Sequence, residues 1–99
     1  VAATVDADAT SVDLSNGEGE YQLTDNAAAT EITTCSNAVD GMVFTLLGSG
    51  GDNPATIPAG NDFLLTEGTI WTGLANSKIT FKAFKDGAAT FKFIELSRQ

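Results

Sequence analysis

The side chains in this sequence that could do chemistry are thirteen carboxylates, one thiol at Cys35 and one indole at Trp71; there is no histidine. Without an imidazole, no Ser/His/Asp or Cys/His nucleophilic site can be assembled, and the commonest general base and metal ligand are missing together. Cys35 ends an expected strand and reads as a half-buried small hydrophobe rather than a nucleophile, and as a single cysteine it forms no internal disulfide. Paired carboxylates across a cleft would suit glycoside hydrolysis, but most Asp and Glu residues stand at turns, and 99 residues leave little room for a cleft. Calcium is the ion best matched to Asp6, Asp8, Asp13 and the Asp52-Asn53 loop, yet no twelve-residue ligand pattern occurs, and turn capping accounts for these groups. Gly48-Ser49-Gly50-Gly51 has no following Lys-Ser/Thr and opens no helix, so it reads as a loop tip and not a phosphate cradle. The expectation is a chain that is not an enzyme, with no catalytic residue, no metal and no cofactor.

Trp71 is the residue best suited to recognition. If Ile70 and Leu74 face the core, the indole stands on the opposite surface, where it can stack on a sugar ring or fill a neighbour's pocket. A strand covered on both faces would instead pack Trp71 within the domain.

Charge is divided along the chain. Residues 1–77 carry eleven carboxylates and no Lys or Arg, whereas residues 78–99 carry Lys78, Lys82, Lys85, Lys92 and Arg98 against only Asp86 and Glu95. The basic end either lies beside acidic loops of its own domain or meets an acidic surface on a neighbouring subunit. At a net charge of −8 the summed field repels a phosphate backbone, so nucleic acid is not an expected partner. No apolar run approaches the roughly 18 residues that cross a bilayer, so no membrane association is expected either. A start at Val1 with Met42 as the sole methionine reads as a processed product or an excised domain.

The elements that must position these groups are short strands. Thr, Val, Ile and Phe are frequent, with Gly, Asn, Asp and Pro recurring every eight to twelve residues or so, the spacing of an all-β sandwich or barrel. Strands are expected at Ser11–Leu14, Glu20–Thr24, Thr30–Cys35, Met42–Leu47, Ala55–Ile57, Phe63–Leu65, Thr69–Thr72, Lys78–Phe84 and Thr90–Leu96, with at most one helical turn at Asp25–Ala29. The fold class is a small antiparallel β-sandwich or barrel: one domain over residues 11–99, a C-terminal hairpin, and a loosely ordered arm at 1–10 that is mobile or externally paired.

The hairpin register follows from its side chains. A three-residue loop at Lys85-Asp86-Gly87, with Gly87 left-handed, sets Phe84 opposite Ala88, Phe81 opposite Phe91 and Ile79 opposite Phe93. One face then holds Ile79, Phe81, Ala83, Ala89, Phe91 and Phe93, and the other Lys78, Thr80, Lys82, Thr90, Lys92 and Ile94. The strand Met42–Leu47 is apolar on both faces, Met42, Phe44 and Leu46 against Val43 and Leu47, so it is either central and covered or turned toward a subunit interface. Candidate contact residues are therefore Trp71, Lys78, Lys82, Lys92, Met42 and Phe44.

From Thr45 onward a family pattern emerges. Thr56-Ile57-Pro58-Ala59-Gly60-Asn61-Asp62-Phe63-Leu64-Leu65, then Ser77–Ala83, then the closing Phe93-Ile94-Glu95-Leu96-Ser97-Arg98, with Phe93 where a tryptophan is usual, together resemble small β domains of phage virion surfaces: capsid decoration, head-fibre and tail-fibre modules. The resemblance covers the last half to two-thirds of the chain, and the acidic N-terminal third has no counterpart in it. It implies a non-enzymatic structural role on the virion surface, a homotrimer, and a major capsid or other virion protein as partner. A glycan-binding or adhesion module built on Trp71 is the alternative.

Overall fold

Runs of two to eight residues in which β-branched and aromatic side chains alternate with polar ones are too short for stable helices, and this chain lays them down as strands. The computed structural model describes residues 3–87 and 90–99. In chain order the strands are β1 (Ala3–Thr4), β2 (Ser11–Asp13), β3 (Gly19–Gln22), β4 (Thr34–Ser36), β5 (Val43–Leu47), β6 (Thr56–Ile57), β7 (Phe63–Leu64), β8 (Trp71–Thr72), β9 (Lys78–Lys85) and β10 (Phe91–Arg98). Among the described residues the only helical feature is a single 3-10 turn at Thr66–Gly68. The helical turn expected at Asp25–Ala29 does not form. Its would-be cap, Asn26, is buried, trading hydrogen bonds with Asn53 and accepting one from the Asp8 N–H.

Six strands form one sheet in the order β1-β3-β5-β9-β10-β7, while β2-β4 and β6-β8 form two small sheets joined by a bridge between Glu31 and Thr56. From β1 to β9 the chain alternates strictly: odd-numbered strands enter the large sheet and even-numbered strands the small ones. One core unites them, with Tyr21, Phe44, Leu46, Phe63, Ile79, Phe81 and Phe93 from the large sheet meeting Val12, Ile57 and Trp71 from the small ones.

This winding corrects the expectation of a purely antiparallel sheet. The excursions through the opposing layer from β1 to β3, β3 to β5 and β2 to β4 return the chain in its original direction, so those pairs are parallel, and β7/β10 is parallel as well. Among the described residues only β5/β9, β6/β8 and the C-terminal hairpin β9/β10 are antiparallel.

The arm at residues 1–10 is also not as expected over its described part. Ala3 and Thr4 pair with Tyr21 and Gln22, Val5 is buried in the core, and the Thr24 hydroxyl donates to the Val5 carbonyl. Val5 supplies the apolar anchor that the neighbouring Ala, Asp and Thr residues lack, and the segment docks on its own domain.

In the hairpin, the face assignment holds and the register does not. Phe93 lies opposite Ala83, Phe91 opposite Lys85, and Phe81 opposite Glu95, a displacement of four residues from the expected pairing. An even displacement keeps every side chain on its face, so Ile79, Phe81, Ala83 and Phe93 still point inward. The observed register puts a large ring beside the small Ala83, and Phe93 packs against Phe63 and Phe44 at centroid distances of 5.3 and 5.8 Å. The loop lengthens, closing with the Asp86 N–H donating to the Thr90 carbonyl, and Gly87 has the expected positive φ of 97°. The expected places of Ala88 and Ala89 lie outside the described residues.

Candidate functional site

Alternation along the strands gives the large sheet two unlike faces. The inner face is the core. The outer face has no layer over it among the described residues, and the hydrogen-bond register fixes its rows. One row runs Leu64, Ile94, Lys82, Val43 across β7, β10, β9 and β5, and the next runs Ser97, Thr80, Thr45, Glu20 across β10, β9, β5 and β3. Lys78, Leu47, Gln22 and Thr4 form a third row, and Lys92 beside Phe84 a short fourth. Leu64, Ile94 and Val43 are exposed there, and Thr45 and Thr80 share a hydroxyl hydrogen bond of 2.8 Å at the centre.

Charge changes sign across the strands of this face. Lys78 and Lys82 on β9 make no ion pair with any described residue, whereas Lys92 on β10 lies 3.5 Å from Asp62. On the opposite flank Glu20 stands exposed on β3, and Glu18 just before it accepts the Val43 N–H at 2.8 Å. The three lysines singled out from the sequence thus share one face, as the alternation of β9 and β10 requires.

Met42 and Phe44 are not on it. Both are buried, Phe44 packed between Tyr21, Phe81 and Phe93, so the apolar character that marked them for contact serves the core. The surface-facing residues of β5 are Val43, Thr45 and Leu47.

The face assignment around Trp71 is also reversed. Trp71 is 3% exposed, while Ile70 and Leu74 are 54% and 55% exposed. The cause is the pairing of β8 with β6, which sets Trp71 directly opposite the fully buried Ile57 and hence on the same inward face. Its Nε1–H has no hydrogen-bond partner among the described residues. A stacking platform for sugars needs an open ring face, and this one is enclosed.

Of the carboxylates weighed as calcium ligands, Asp8 and Asp13 are engaged with backbone and side-chain donors. Asp8 accepts the Ala27 N–H, and Asp13 accepts Ser15 N–H and Asn37 Nδ2–H, which hold its carboxyl below the usual range. Asp25 accepts the N–H groups of Asp52 and Asn53, knitting the two loops together. Among the described residues no three Cys, Asp or Glu side chains converge as a metal site. Cys35 packs against the core, and burial pushes its thiol pKa far up, away from thiolate chemistry.

One arrangement escaped the sequence reading. Glu95 is buried, accepts the Thr66 N–H at 2.8 Å and is gripped by Arg98, whose guanidinium also reaches the Thr69 and Ile70 carbonyls. In a regular strand residues three apart point to opposite faces. A β-bulge between Glu95 and Ser97 shifts the register by one and brings the two together, and nothing in the residue types announces that bulge.

No helix among the described residues is long and apolar enough to cross a membrane. No protein-family model matches the chain, and no curated protein is similar enough to it to supply a relative.

Proposed function

We propose that this protein is a non-enzymatic structural module of a phage virion surface, a capsid decoration or fibre component that works by association with copies of itself and with a capsid or other virion protein. The observation that carries the reading is the outer face of the large sheet: exposed Leu64, Ile94 and Val43 lie among Lys78, Lys82 and Lys92 on a molecule whose first 77 residues hold eleven carboxylates and no base. A face that combines exposed apolar residues with lysines, on an otherwise acidic molecule, favours contact with protein over contact with water. The resemblance of the Thr56–Leu65, Ser77–Ala83 and Phe93–Arg98 segments to virion surface domains supports the assignment to a particle, and a trimer as the stoichiometry. The alternative of a glycan-binding module loses its residue with Trp71 in the core.

Mass spectrometry of purified particles encoded by the genome that carries this reading frame tests the proposal. The chain is expected in the particles at a copy number commensurate with the capsid or fibre, with antibody labelling on their exterior. Its absence from purified particles overturns the reading.

A further inference from the structure

We infer that the outer face of the large sheet is the contact between copies of this chain, the acidic β3 flank of one copy meeting the basic β9–β10 flank of the next about an axis running along the strands. The inference names the partner within the proposed function, and it rests on that reading only in that the chain works by association.

The geometry carries it. Glu20 and Lys82 lie on the same face, two strands and one row apart, with exposed Val43 beside Lys82 in its row. Neighbouring strands are about 4.8 Å apart, so the acidic and basic flanks are separated by about 10 Å across the sheet. Rotation about an axis parallel to the strands places the left flank of one face against the right flank of its neighbour. Opposite charges therefore meet at every contact, and Val43 and Leu47 of β5, between the two flanks, turn toward the axis. Lys78 and Lys82 find no carboxylate partner among the described residues of their own chain, which leaves them available to one on a neighbour. Side-by-side growth of the sheet is the poorer route, because both edge strands, β1 and β7, are only two residues long.

Sedimentation velocity of the full chain at high concentration and low salt, with Glu20→Lys, Lys82→Glu and the double variant, tests this, with circular dichroism confirming that each folds. Wild type is expected to associate, each single reversal to weaken association at least about tenfold, and the charge-swapped double variant to recover to within about threefold. Mixing the two single variants rescues a pair but not a ring of three, because an odd ring cannot alternate two all-like-charged faces; this reads the copy number. Association that ignores both reversals overturns the proposed contact while leaving an associating structural module standing. Single losses without rescue by the double variant overturn the flank pairing. A strict monomer overturns both the contact and self-association.

Discussion

Arg98 closes over Glu95 from three residues further along the same strand, its Nε 2.6 Å from one carboxylate oxygen and a terminal guanidinium nitrogen 2.8 Å from the other. The pair ties the bulge of β10 to the Thr66–Ile70 loop, since Glu95 also accepts the Thr66 N–H and Arg98 donates to the Thr69 and Ile70 carbonyls.

The clamp makes stability acid-sensitive. The Arg98 hydrogen bonds hold the Glu95 pKa below its ordinary value of 4.5, against the opposing effect of burial. A carboxyl depressed in the folded state contributes its full stabilisation above the unfolded value, and that contribution is lost as pH falls through the lower folded value. Thermal melts from neutral pH downward should show this loss in the wild type. Glu95→Gln should cost about 1–3 kcal/mol at neutral pH and flatten the acid limb. An acid limb of unchanged steepness in the variant would assign the pH dependence to other carboxylates.

Trp71 is the sole tryptophan and lies in the core opposite Ile57. Its emission should be blue-shifted and resist acrylamide quenching until the protein unfolds, and Trp71→Ala should cost about 3–5 kcal/mol. Red-shifted, freely quenched emission from the native protein would place the indole at the surface.

Two glycines should respond very differently to alanine. A Cβ at Gly48 would stand 2.2 Å from the Leu74 carbonyl oxygen and 2.5 Å from the Gly73 carbonyl carbon, both rigid backbone. Gly60 has open space around it and only a positive φ of 97° to satisfy. Denaturant titration should show Gly48→Ala losing about 1–3 kcal/mol or more, and Gly60→Ala about 1 kcal/mol. Equal losses would mean that the loop beside Gly48 yields.

Cys35 should behave as a packing residue. With its thiol pKa raised by burial, it should react with a thiol reagent only in denaturant and remain inert in the native protein at neutral pH. Fast native labelling would contradict its packing against the core.

Legibility from the sequence followed the range of the interactions involved. Strand positions and the two faces of β9 and β10 were readable because they depend on period-two alternation, a local property, and the grouping of Lys78, Lys82 and Lys92 came with them. The hairpin register was not readable, because Phe93 is placed opposite Ala83 by packing against Phe63 and Phe44, far away in the chain. The outward reading of Trp71 fails for the same reason, and the enclosed one holds: its face is dictated by Ile57 across the sheet, not by Ile70 and Leu74 beside it. The parallel pairings had no local signature, since each joins strands separated in the chain by a strand of the other layer.

That order of visits has a kinetic cost. Of the seven strand pairs among the described residues, only β9 with β10 joins neighbours in the chain; every other pair must close a loop that contains at least one further strand. Hairpin formation takes microseconds, whereas architectures dominated by distant pairings fold in milliseconds to seconds, so the hairpin is the natural nucleus. It also follows every other strand in chain order, so it is synthesised after them. Until it emerges, β5 lacks its antiparallel partner, and the preceding acidic stretch waits unconsolidated, held apart by its own like charges.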